Sequence, residues 1–222
     1  MPSVLITGAG RGIGVELARQ YAAEGRRVVA TVRADSPELS GLAGDIRIER
    51  LDMRDFAAVA AFPERLGGEA IDLFIANAGM TAARRIDSAA EAETWQEVHA
   101  VNAVAPTLLA RALLPNVLAA RGKMAAITSR MGSIADSSGG YIAYRASKAA
   151  LNAAWYALAM ELKGEPVALV LLHPGWVQTD MGGAGATITP AESVRGMRGV
   201  IERLSARQSG AFLDYRGQSI AW

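Results

Sequence analysis

Short apolar, β-type runs alternate along this chain with longer stretches whose apolar positions recur at helical spacing. The runs at 4–7, 28–32, 46–51, 71–76, 124–128, 167–172 and 211–213 read as strands. Helical patterns lie near 12–24, 55–66, 91–120, 144–163 and 190–205. A run such as Val167-Ala168-Leu169-Val170-Leu171-Leu172 has no polar alternation, which is what burial on both faces of a sheet requires. Strands alternating with helices imply parallel strands joined by right-handed crossovers, with helices on both faces. The expected fold class is therefore α/β, a doubly wound, mostly parallel seven-stranded sheet. No linker, repeat or low-complexity block interrupts the pattern, so residues 1–222 are expected to form a single domain.

Composition narrows the possible functions. Apolar residues make up 51% of the 222 positions and charged residues 20%, enough to bury a sizeable core and to argue against disorder. The 23 Lys and Arg nearly balance the 22 Asp and Glu, with no basic stripe interleaved with aromatics, so a nucleic-acid partner is not expected. The absence of cysteine excludes disulfides and thiolate metal sites. No apolar run reaches the roughly 18 residues of a membrane span, and a glycine-rich motif starts too early for a cleaved leader. A cytoplasmic protein without a membrane partner is the resulting expectation.

Ligands of such sheets bind at the carboxyl ends of the strands. After the first strand comes Thr7-Gly8-Ala9-Gly10-Arg11-Gly12-Ile13-Gly14, leading into a helix. Glycines there let backbone N–H groups approach a pyrophosphate, and the helix start adds partial positive charge. The spacing is T-G-x-x-x-G-x-G rather than G-x-G-x-x-G, because Ile13 and Val15 stand where a final glycine would fall. The second strand ends at Val32 without the acid that usually binds an NAD ribose, and Arg33, a planar fork suited to phosphate, follows it. Further on, Tyr144 and Lys148 share one helix face. A free phenol with pKa near ~10 is a poor base, and a neighbouring ammonium favours its ionised form. With five Tyr and three Lys in the chain, this pairing is expected by chance only about 0.07 times. The competing pair, Tyr141 and Arg145, offers a guanidinium that cannot lose its proton. His173 and His99 lack enough partners for a metal site, so no metal is expected and His173 reads as structural.

These motifs, in this order, resemble the short-chain dehydrogenase/reductase family with its Rossmann-like fold, and the resemblance covers nearly the whole chain. It implies a cofactor cradle of Gly8, Gly10, Arg11, Gly12, Ile13 and Gly14, with Asp52 and Met53 beside the adenine. Basic residues at Arg11 and Arg33 go with NADP in this family, leaving NAD as the alternative. Asn77-Ala78-Gly79 matches the N-A-G motif, and Pro174, Gly175, Val177 and Thr179 match the segment that holds the nicotinamide. Tyr144 and Lys148 also contact the cofactor in relatives. Ser129 takes the place of the serine that hydrogen-bonds the substrate carbonyl, and Asn102 that of the helix asparagine whose backbone holds a water leading to the lysine. The implied catalytic set is Asn102, Ser129, Tyr144 and Lys148. One departure is the 15-residue step from Ser129 to Tyr144, about two longer than the commonest family spacing, which keeps Ser133 as a second candidate.

Within the family the finest match is to C-factor-like and related carbonyl reductases, through Thr128-Ser129-Arg130-Met131-Gly132-Ser133-Ile134 and His173-Pro174-Gly175-Trp176. That implies NADP(H)-dependent reduction of a small apolar aldehyde or ketone. Met131, Tyr141, Trp176 and Met181 would wall the substrate site, and residues 182–185 would act as a mobile flap. A signalling protein that binds cofactor with little turnover, and an NAD-dependent alcohol dehydrogenase, stay open as alternatives. The helix carrying Tyr144 is apolar almost all round, so a homodimer through that helix is expected.

Overall fold

The computed structural model describes residues 1–82 and 84–222. Seven strands, β1 (Ser3–Ile6), β2 (Arg27–Val32), β3 (Ile46–Arg50), β4 (Leu73–Ala76), β5 (Lys123–Ile127), β6 (Ala168–His173) and β7 (Ala211–Asp214), form one sheet in the order β3-β2-β1-β4-β5-β6-β7. Every neighbouring pair is parallel. The fold is the doubly wound, Rossmann-like α/β class that the alternating pattern predicts. The strand order reverses between β1 and β4, and the crevice outside their carboxyl ends is where such sheets bind ligands.

Alternate residues of each strand feed two cores. In β4, Phe74 and Ala76 join one face with Phe62, Leu109, Leu113 and Trp155, while Leu73 and Ile75 join the other with Leu17, Tyr21, Val194 and Met197. Phe74 and Trp155 meet with ring centroids 6.2 Å apart, tying the sheet to α7 (Ile142–Glu161). On the opposite face α1 (Gly12–Ala23) packs beside α8 (Pro190–Arg203). No helix among the described residues is long and apolar enough to cross a membrane.

The single helical stretch expected over 91–120 is divided. It comprises α4 (Ala89–His99), a turn of π-helix (Ala100–Val104), α5 (Ala105–Ala112) and α6 (Leu114–Ala119). Pro106 and Pro115 each sit in the first turn of a new helix, where a missing N–H costs nothing. The pattern over 55–66 likewise ends its α-helical part, α3 (Phe56–Ala61), and tightens into a 3₁₀ turn over Phe62–Leu66. A four-residue helix, α2 (Pro37–Ser40), escapes the sequence pattern. It is set by Ser36, whose hydroxyl accepts from Leu39 N at 3.2 Å.

Candidate active site

The glycine turn after β1 and the segment after β4 are knitted together at the crevice. Thr7 Oγ1 accepts from the backbone N–H groups of Asn77 and Ala78 at 3.0 and 3.1 Å. Asn77 Nδ2 donates back to the carbonyls of Thr7 and Gly8 at 3.0 and 3.1 Å. Space is as tight as the bonding. A Cβ on Gly14 would stand 2.1 Å from the Gly8 carbonyl oxygen, and one on Gly8 would stand 2.7 Å from Ala78 Cα. Gly8 also has φ +65°, a left-handed value that a side chain would strain. This turn therefore presents bare backbone at the start of α1, with Ile13 partly buried against the core below it. The Gly10 carbonyl accepts from Ser36 Oγ at 2.6 Å, which fixes the rim toward β2.

That rim carries the charged residues expected to read the adenosine end. Arg33 is exposed, with no ion pair among the described residues, and stands close enough to Asp52 to help hold its carboxyl below the usual carboxylate range. The larger cause is Arg54, whose Nη2 lies 2.7 Å from Asp52 Oδ2 while its Nη1 reaches Glu97 at 3.0 Å. Asp35, two residues beyond Arg33, is engaged by Arg50 at 2.5 Å. Met53, expected beside the adenine, lies next to Asp52. Its side chain is buried in the core, so only its backbone can face a ligand.

The catalytic candidates converge at the carboxyl end of β5. Ser129 caps a short 3₁₀ turn, Arg130–Gly132, with its hydroxyl accepting from Met131 N at 3.1 Å. The same hydroxyl faces the phenol of Tyr144 in the first turn of α7. Burial pushes the Tyr144 phenol above the ordinary tyrosine value, and the bond to Ser129 offsets part of that rise. One turn on, Lys148 Nζ lies 5.9 Å from the Tyr144 ring centroid and donates to the Ile127 carbonyl at 2.8 Å. Burial without a carboxylate partner pulls Lys148 down to about 8. Two close approaches set this geometry: a Cβ on Gly132 would meet the Lys148 backbone at 2.8 Å, and one on Gly79 would lie 3.6 Å from Lys148 Nζ.

Asn102 is fully buried in the π-helical turn, a distortion that often marks functional sites. Its side chain is committed: Oδ1 accepts from Met80 N at 2.8 Å, while Nδ2 donates to Met80 O at 2.8 Å and Ser147 Oγ at 3.0 Å. It thus braces the segment after β4 against α7, leaving its backbone for the role inferred from relatives. Ser133, the second candidate, is buried and accepts from Asp136 N at 3.1 Å, serving as a turn cap. Arg145 is equally occupied, donating to Gly140 O and Ser138 Oγ, both at 3.0 Å. It clamps the lengthened loop and is no partner for Tyr141, which caps α7 at φ +52° beneath the Arg84 guanidinium.

Beyond β6, Pro174 O accepts from Ser193 Oγ at 2.6 Å, and Gly175 turns the chain against Ile188 and Tyr215. Val177 is buried and bridges Ile188. The expected mobile flap at 182–185 belongs to a loop closed by hydrogen bonds: Gly183 N to Thr179 O at 2.9 Å, Trp176 Nε1 to Gly182 O at 2.8 Å and Gln178 N to Ile188 O at 2.9 Å. Tyr141, Trp176 and Met181 are exposed, and Met131 is half-buried. His173 Nδ1 is buried with no partner among the described residues, and burial draws the imidazole down to about 4.

Sequence reasoning passed over Asn152. Its Oδ1 accepts from Thr128 Oγ1 at 2.6 Å, anchoring α7 to the end of β5 beside Ser129. An asparagine amid apolar helix positions is the mark that the sequence carries for it.

A family model described as short chain dehydrogenase matches residues 2–187. The chain belongs to that family. The C-signal protein of Myxococcus xanthus is 44% identical over 158 residues, covering 68% of this chain and 93% of its own. The NADPH-bound carbonyl reductase from chicken fatty liver is 35% identical with TM-score 0.89, covering 100% of this chain and 99% of that one. A carbonyl reductase from Pseudomonas aeruginosa PAO1 in complex with NADP is 33% identical with TM-score 0.86, covering all of both chains. Family membership makes the chain an oxidoreductase by class.

Proposed function

We propose that this short chain dehydrogenase is an NADP(H)-dependent carbonyl reductase acting on small apolar aldehydes or ketones. The observation that carries the reading is the Tyr144 phenol, facing the Ser129 hydroxyl with the Lys148 ammonium one turn away. A dinucleotide fits the crevice because side chains are excluded where its backbone would lie, at Gly8 and Gly14. Gly8, Gly10, Gly12, Ile13 and Gly14 would hold the pyrophosphate, with Asn77, Ala78 and Gly79 beside it. Arg33 and Arg11 would hold a 2′-phosphate, and Pro174, Gly175, Val177 and Thr179 would hold the nicotinamide. Val32 ends β2 where an acid would favour NAD, and the likeness to NADP- and NADPH-bound reductases agrees. When bound, the cofactor supplies the hydride.

The chain's own residues then handle the oxygen. Ser129 donates a hydrogen bond to the carbonyl oxygen and stabilises charge as it develops there. Tyr144 delivers its proton to that oxygen, and the Lys148 ammonium lowers the cost of the phenolate left behind. Lys148 also binds cofactor ribose, and Asn102 offers its backbone to a water that returns the proton. The exposed rim of Tyr141, Trp176 and Met181 with Met131 favours apolar substrates. The alanine-rich outer face of α7, with Tyr156 and Met160 exposed, supports a homodimer through that helix.

Replacing Tyr144 with Phe is expected to cut kcat for NADPH-dependent carbonyl reduction by about 10²–10⁴-fold while cofactor binding, followed by NADPH fluorescence, persists. A variant turning over at near the parent rate would overturn the assignment. The likeness to the C-signal protein favours one second reading, a signalling role with little turnover. Tight NADPH binding with no reduction across a carbonyl panel would select it.

A further inference from the structure

Arg11 does not wait free at the crevice. Its Nη1 lies 3.0 Å from Asp180 Oδ2, a pairing across 169 residues that joins the glycine turn to the loop after β6. The contact is not a chance crossing of two long side chains. Thr179, next to Asp180, rests on the same turn, and a Cβ on Gly12 would stand 3.1 Å from Thr179 Cγ2. The loop behind Asp180 is fixed by Gly183 N donating to Thr179 O at 2.9 Å and Gly182 N donating to Thr179 Oγ1 at 3.2 Å. An acid is thus held where it can claim the cation assigned to the 2′-phosphate.

The two side chains are 77% and 81% exposed, so their pairing is weak. An exposed ion pair shifts an equilibrium by only about two- to fivefold, little enough for a phosphate to displace it. The other acids on this rim are already matched, Asp35 with Arg50 and Asp52 with Arg54.

We infer that Asp180 is a specificity-determining residue that competes with the cofactor 2′-phosphate for Arg11, so that NADP(H) must displace it and NAD(H) leaves the pair undisturbed. The inference rests on the NADP(H) reading above. It makes the chain's cofactor preference smaller than its arginines alone would give. The loop stays in place in either case, because the bonds among Thr179, Gly182 and Gly183 hold it independently of the Asp180 carboxylate.

The test is a double-mutant cycle on cofactor binding, read by NADPH and NADH fluorescence titration at matched ionic strength. Asp180→Asn is expected to tighten NADPH binding about two- to fivefold and leave NADH unmoved. In an Arg11→Ala background the same substitution should do nothing for either cofactor, because the competition has lost its object. Equal tightening for both cofactors, or tightening that persists without Arg11, would show a general charge effect and overturn the inference. Weaker binding of both would overturn it too, by making the pair a clasp over the pyrophosphate. A parent chain that binds NADPH no better than NADH would instead sink the cofactor reading, and this inference with it.

Discussion

On the β1–β3 side of the crevice the ligand-facing surface is bare backbone ringed by exposed arginines, whereas on the β4–β6 side it is buried polar side chains. Gly8, Gly12 and Gly14 do their work by lacking atoms, and Arg11 and Arg33 stand in solvent. Across the switch point, Asn102, Ser129, Ser147, Lys148 and Asn152 are all buried, and each is fixed by hydrogen bonds. Steric exclusion defines one half, and polar groups removed from water define the other. The first half should therefore be brittle to added volume, and the second should show its strain as pH dependence.

The sharpest way to break the first half is Gly14→Ala. Its Cβ would meet the Gly8 carbonyl at 2.1 Å and Asn77 Nδ2 at 2.7 Å, so backbone must move. Overpacking of this kind costs about 1–3 kcal/mol. If the turn opens to relieve a strain at the upper end, dinucleotide affinity is expected to fall about 100-fold. Calorimetric titration with the cofactor, together with a thermal melt, measures both effects. Binding at the parent affinity would show that the turn tolerates volume, and the contrast between the halves would fail there.

The second half is sharpened by Lys148→Met, where stability and activity should move in opposite directions. Lys148 is drawn to about 8 in the folded chain by burial, against about 10.5 in the unfolded one. The folded state therefore binds fewer protons between those values, and stability rises with pH across that window. Below pH 8 the cost of the buried charge is fully present. At pH 7 the Met variant is expected to be more stable by on the order of 1–3 kcal/mol, less whatever the lost bond to Ile127 O contributed. That advantage should shrink as pH approaches 10, and reductase activity should be lost throughout. Denaturant melts at pH 7 and 9.5 decide it; a variant less stable than the parent at pH 7 would place the lysine among groups that hold the fold.

The same division explains how much could be read beforehand. Strands buried on both faces leave nearly unbroken apolar runs, and the half-exposed edge strand β3 shows alternation instead, so all seven were legible, with ends displaced by a residue or two as at β4, which starts at Leu73. The glycine turn and the Tyr144–Lys148 pair were legible because their spacing is local. The break-up of 91–120 was only half visible: Pro106 and Pro115 are marks in the sequence, but the π-helical turn between α4 and α5 is a product of packing. Ser36-Pro37-Glu38 carried the start signal of a helix too short to show periodicity. Arg11 and Asp180 lie 169 residues apart and left no local trace. Nor could spacing alone show that Met53 points into the core or that Ser133 is spent on a turn.

The smallest expected effect concerns His173, at the end of β6 on the polar side. Desolvation is the first cause of its low value near 4, with Arg130 adding to the shift and Asp214 opposing it. An unfolded histidine titrates near about 6.5, so between the two values the unfolded chain binds more protons. Its neutral burial therefore contributes stability that is present above pH 6.5 and lost as pH falls toward 4. Replacing His173 with Gln is expected to flatten the decline of the melting temperature between pH 6.5 and 4.5 without moving it at pH 8. The control is Gly14→Ala on the other half, which adds volume but no titratable group and should leave the slope of the acid limb unchanged. An acid limb that persists unaltered in His173→Gln would assign the pH dependence to carboxylates, and the polar half would then owe its sensitivity to Lys148 alone.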